Sequence, residues 1–158
     1  MDIGEIKEFF FKGMLACWLA DIPSPFIEGP WTFFQYTEGP WCFEDRFVFN
    51  AKSGKSAGTI TICHNDICVW VMHYAGKYRE STIEFVRAAL RRACKDQAFY
   101  GGRGPMTFSD PGFPGFQYAN AISESDFAKF WGKESVVRRG RAQGTQLGYH
   151  IYWGMLLI

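Results

Sequence analysis

The side chains most capable of chemistry begin with one carboxylate. In the run Trp41-Cys42-Phe43-Glu44-Asp45-Arg46-Phe47-Val48-Phe49-Asn50, strand alternation places Trp41, Phe43, Asp45, Phe47 and Phe49 on one face and the intervening residues on the other. Asp45 is then the one charge on an aromatic face. A carboxylate there loses hydration, so it must find a partner, border a wet cavity or hold its proton to higher pH. Asp45 is therefore the leading site candidate, as a general acid or base or as the polar handle of a ligand pocket. The structural alternative is an acid satisfied by backbone donors or by an arginine such as Arg103, or turned outward by a β-bulge.

Other groupings carry less. Cys63, His64, Cys68 and His73 have the letters of a zinc set. If Asn65-Asp66 is a two-residue turn, Cys63 faces Cys68, His64 points to the other face, and His73 lies roughly 20 Å further along the strand. Two thiols do not close a metal site, so no metal is expected, and no cofactor is called for. Gly101-Gly102-Arg103-Gly104-Pro105 follows a helix and does not open one, so it is not a phosphate loop. It can position Arg103 towards Asp45 or an anionic group. Arg138-Arg139-Gly140-Arg141 reads as a solvated hairpin tip without aromatic interleaving, which argues against nucleic acid as a partner. No nucleophile elbow, dinucleotide loop or readable pair of carboxylates is present, which leans the reading away from an enzyme.

Composition narrows the classes. The 158 residues suit one domain spanning 1–158. Seventeen basic residues against sixteen acidic ones leave a charge of +1, no field for gathering nucleic acid or anionic lipid. The acidic start Met1-Asp2-Ile3-Gly4-Glu5 is not a secretory signal, no apolar run approaches a membrane span, and five cysteines fit reduced thiols. A cytoplasmic protein with no membrane partner is expected; oligomeric state has no signature. Sixteen Phe, seven Tyr and six Trp demand either a bulky core or a lined cavity.

The elements that must position these residues follow from periodicity. Ile6, Phe10, Met14 and Trp18 form one stripe of a helix over 5–20, ended by Ile22-Pro23-Ser24-Pro25. Glu28-Gly29-Pro30-Trp31 and Glu38-Gly39-Pro40-Trp41 each turn into an aromatic strand. Thr59–His64 and Ile67–Tyr74 form a hairpin about Asn65-Asp66, the second strand apolar on both faces and so central. Ser81-Thr82-Ile83-Glu84 has the pattern of a capping box before a helix reaching Gln97. Further strands are expected near 117–122, 134–137 and 147–153, with a helical turn over 125–130.

Several of these segments resemble a family. Asp45 in its aromatic strand, Trp70-Val71-Met72-His73-Tyr74-Ala75-Gly76, Arg103-Gly104-Pro105, and Phe130-Trp131-Gly132-Lys133-Glu134 before the strand Tyr149–Gly154 are similar to a prokaryotic family catalogued as a domain of unknown function. Where that pattern has a first Gly-x-Glu, this chain has Gly58-Thr59-Ile60. Some members follow a helix-turn-helix segment, which this sequence does not carry; the resemblance implies a sensory or regulatory role and supplies no mechanism.

The expected fold is α+β: a curved antiparallel sheet with two long helices on one face and an internal duplication of a helix-plus-strands unit, halves 1–78 and 79–158. Asp45-Arg46-Phe47, Gly58 and His73–Gly76 would recur as Asp126-Phe127, Gly132 and Ile151–Gly154. The expected function is binding of a small ligand in an aromatic cavity lined by Trp41, Phe43, Phe47, Trp70, Tyr74, Tyr149 and Trp153, with Asp45 and Arg103 as polar handles. The alternatives are a small-molecule enzyme using Asp45 as general acid or base, and a protein-interaction module with a flat aromatic face.

Overall fold

The computed structural model describes residues 2–138, 140 and 145–158. Among them the chain forms α1 (Ile3–Ala16), β1 (Phe26–Glu28), β2 (Trp31–Glu38), β3 (Trp41–Asn50), β4 (Lys55–His64), β5 (Ile67–Tyr78), α2 (Ile83–Lys95), β6 (Thr107–Phe108), β7 (Phe116–Asp126), β8 (Lys129–Arg138) and β9 (Thr145–Leu156). The strands make one antiparallel sheet in the order β1-β2-β3-β4-β5-β9-β8-β7-β6. Two meanders thus meet along β5 and β9.

Turn chemistry sets the first meander. Gly29 and Gly39 take φ of 56° and 57°, so each Gly-Pro pair closes a tight hairpin. Asn65 and Asp66 sit at φ of 49° and 63°, the left-handed pair of a two-residue turn, and Cys63 pairs with Cys68 as the pattern requires. β5 is the middle strand of the nine.

One face of the sheet is buried beneath both helices. Phe43 of β3 packs against the helix backbone at Gly13, where an added Cβ would collide with its ring. Phe85 of α2 packs among Phe108, Phe113 and Phe116. At the centre Trp70 stacks on Phe127 and Phe130, with ring centroids at 5.1 and 5.4 Å, and donates from Nε1 to the Phe127 carbonyl at 3.0 Å. The opposite face carries Trp131, Ile151, Trp153 and Met155 exposed. No helix among the described residues is long and apolar enough to cross a membrane.

The expectation of an α+β domain with two long helices is overturned. Strand dominates, and the helices hold 14 and 13 residues, each under four turns. The first stops at Ala16 because tertiary partners take over its end: Arg91 donates to the Leu19 carbonyl at 2.8 and 2.9 Å, and Arg87 to that of Ala20 at 2.6 Å. Trp18 therefore leaves the stripe and lies in the turn beyond. Thr82 makes no side-chain cap at α2; its hydroxyl donates to the Arg79 carbonyl within a 3-10 turn, Glu80–Thr82. The helical turn expected over 125–130 is instead the β7–β8 hairpin. The expected halves do not correspond throughout: five strands follow the first helix and four the second, and Asp126, read as the counterpart of Asp45, sits at a hairpin turn accepting from the Ala128 amide. In the basic run 138–141, Arg138 ends β8, while Arg139 and Arg141 lie outside the described residues.

Candidate functional site

Asp45 points inward from β3, 3% exposed, as alternation requires. Its partner is Tyr74 of β5, two strands away, whose hydroxyl donates to Oδ1 at 2.6 Å. The intervening strand permits this because Gly58 offers no side chain; a Cβ there would lie 2.5 Å from the Tyr74 oxygen. The Tyr74 hydroxyl is the side-chain donor that meets the carboxylate, and Asp45 also lines a cavity. Burial pushes the Asp45 carboxyl up to about 6, against the opposing pull of the Tyr74 hydrogen bond and the Arg103 charge.

Arg103 comes from the glycine loop after α2, buried throughout 101–104. Gly101 takes φ of 74°, and a side chain at Gly104 would collide with the Tyr118 hydroxyl, so the loop can thread beneath the helix only with glycines there. The guanidinium lies over the rings of Tyr74 and Trp18, at 4.7 and 5.7 Å. Its Nη2 donates to Glu134 Oε1 at 2.5 Å and meets His150 Nδ1 at 2.7 Å. Tyr118 donates to Glu134 Oε2 at 2.6 Å. Burial pushes the Glu134 carboxyl up, but Arg103, His150 and the hydrogen bond from Tyr118 outweigh it and hold it below the usual carboxylate range.

The guanidinium also fixes the histidine. Arginine only donates, so His150 Nδ1 must accept, and the ring proton resides on Nε2, 3.2 Å from Ser56 Oγ. Burial and the Arg103 charge bring His150 down to about 3, so the ring is neutral. Ser56, His150 and Glu134 have the letters of a hydrolase triad, but Arg103 stands where a triad needs an acceptor, and Nε2 cannot take a serine proton.

Asp45, Arg103 and His150 line one cavity of about 140 Å³, walled by Trp18, Phe47, Phe49, Tyr74, Tyr78 and Ile83. A larger hollow of about 720 Å³ shares Phe49, Gly54, Tyr78 and Ile83 with it, and Phe49 itself is exposed. Two buried polar atoms of lining residues have no hydrogen-bond partner, Nε of Arg103 and the Tyr78 hydroxyl. Neither atom has surface open to the cavity, and the Tyr78 hydroxyl lies close to the Glu134 carboxylate, which together with burial raises it well above its ordinary value.

Residues 52–154 match the family described as a domain of unknown function, DUF5680. The chain belongs to that family. No curated protein and no solved structure matches it. Tyr74, Arg103, Glu134 and His150 fall within the DUF5680 span, whereas Asp45 and Trp18 precede it.

Of the nine residues expected to line a pocket in this DUF5680 chain, Asp45, Phe47, Tyr74 and Arg103 do so. Phe43 and Trp70 are solid core. Trp41 packs on Phe9 and His64. Tyr149 and Trp153 face the other side of the sheet, Trp153 against His73 with centroids 4.3 Å apart. Cys63, His64, Cys68 and His73 do not converge, and no group of three metal-binding side chains occurs among the described residues. Sequence reading missed Glu134, His150, Tyr78, Tyr118 and Ser56. Glu134 carried the same signal as Asp45, a lone acid on the inward register of Phe130, Gly132 and Val136.

Proposed function

We propose that this domain binds a small ligand in the cavity between Asp45, Arg103 and His150, as a sensory or regulatory module. The observation that carries the reading is that a buried carboxylate and a buried guanidinium, Asp45 and Arg103, both line one aromatic-walled cavity. Charged groups lose hydration there, and a ligand that hydrogen-bonds to them offsets part of that cost. A cavity of about 140 Å³ compares with the roughly 150 Å³ that accommodates a benzene ring, so the ligand reaches the size of one ring. The test is an amide-resolved NMR titration with a library of single-ring fragments. Shifts clustered on Asp45, Tyr74, Tyr78 and Arg103 are expected; binders found only elsewhere would refute it.

A second reading takes Asp45, which lines the cavity and whose carboxyl burial raises, as a general acid or base acting on a bound substrate. Chemical change of a bound fragment by the native chain, lost in Asp45→Asn, would favour the enzyme; fragments recovered unchanged from the native chain would favour the receptor.

A further inference from the structure

The cavity's polar groups differ in kind and sit on different elements, so they constrain the ligand's chemistry. Arg103 can only donate, the ionised Asp45 can only accept, and both line the cavity. The guanidinium charge is already met by Glu134 at Nη2, so no anion is needed to neutralise it. An anionic ligand would accept from the guanidinium but bring a second negative charge into the cavity that Asp45 lines. A cationic ligand would satisfy Asp45 but lie against the guanidinium and offer it no acceptor. Both conflicts occur in a site shielded from water, where charge effects are strongest. A neutral edge offering one donor and one acceptor meets both ends at once.

Resting on the binding reading above, we infer that the ligand is a neutral single-ring molecule whose edge carries an N–H donor beside a C=O acceptor, the chemistry of carboxamides, lactams and pyrimidinones. Its N–H donates to the Asp45 carboxylate, and its carbonyl accepts from the Arg103 guanidinium. The ring lies between the aromatic walls at Trp18 and Phe47, towards the mouth at Phe49. Discrimination comes mainly from unpaired groups left behind by the wrong ligand, the strongest source of selectivity a buried polar site has.

Three probes of nearly one shape test this: benzamide, benzoate and benzamidinium, titrated at pH 7.5 and followed by amide shifts at Asp45, Tyr78 and Arg103. Benzamide is expected to bind at least tenfold tighter than either ion. Asp45→Asn turns the acceptor end into one that can donate while retaining an oxygen for Tyr74, so the preference should pass to benzoate. Tighter binding of benzoate or benzamidinium to the native chain, or an unchanged preference in Asp45→Asn, overturns the amide edge while the cavity reading stands. The same holds if all three stay out while other fragments enter. Only exclusion of every fragment would remove the cavity reading beneath it.

Discussion

The Tyr74 hydroxyl reaches Asp45 across the bare backbone of Gly58, and Tyr152 reaches Asn120 at the same 2.6 Å across Gly132. In each case a tyrosine on one of the two central strands crosses a glycine to a polar residue on the next strand but one. One end is a carboxylate and lines the cavity; the other is an amide that also donates to the Gly104 carbonyl, at 3.4 Å, and so pins the arginine loop.

Gly58→Ala should therefore do more than crowd a strand. The new methyl would meet both the Tyr74 oxygen and, at 2.7 Å, the Arg46 carbonyl, which cannot give way. A loss of about 1–3 kcal/mol in urea denaturation is expected. Because the Tyr74 bond lowers the Asp45 carboxyl, its rupture should move that titration above 6 in a carbon-detected NMR experiment. An unchanged titration would show that the hydroxyl had not moved.

Two buried groups give opposite pH dependences. Asp45 rises from 3.8 unfolded to about 6 folded, so the folded chain holds its proton longer and stability falls as pH climbs from 4 to 6. At about 1.4 kcal/mol per pH unit this amounts to about 3 kcal/mol. His150 falls from 6.5 unfolded to about 3 folded, so stability is complete above 6.5 and is lost as pH drops. Urea midpoints at pH 4 to 7 should rise more steeply in Asp45→Asn than in the native chain, and fall towards pH 6 in His150→Gln. Equal slopes in all three proteins would contradict the burial of these groups.

The Arg103–Glu134 pair, 4% and 0% exposed, should show strong coupling. Arg103→Met strands a buried carboxylate and is expected to cost about 3–5 kcal/mol. Adding Glu134→Leu should restore a large part of that, giving a coupling energy of about 1–3 kcal/mol in a double-mutant cycle. Additive losses would mean that the two residues act separately.

Ser56 should be unreactive. With the His150 proton held on Nε2 by Arg103, a fluorophosphonate probe is expected to leave Ser56 unlabelled, and a nitrogen NMR spectrum should show Nδ1 unprotonated. Stoichiometric labelling would reverse the tautomer assignment.

Local rules alone determined part of this protein. Alternation turned Asp45 inward with Phe43 and Phe47, Asn65-Asp66 fixed a two-residue hairpin, and the apolar faces of Ile67–Tyr74 placed β5 at the centre of the sheet, because each depends only on neighbouring residues. Tertiary structure decided the partners. Asp45 and Glu134 stand on strands of different meanders, and both lie near a single guanidinium; direct contact went to Glu134, leaving Asp45 to a tyrosine. That outcome depends on β9 joining β5, which brings His150 beside Tyr74, and on where a glycine loop threads beneath α2. Strand pairing across 94 residues, from Ser56 to His150, leaves no trace in local periodicity, so the site's second half was not legible before the sheet closed over it.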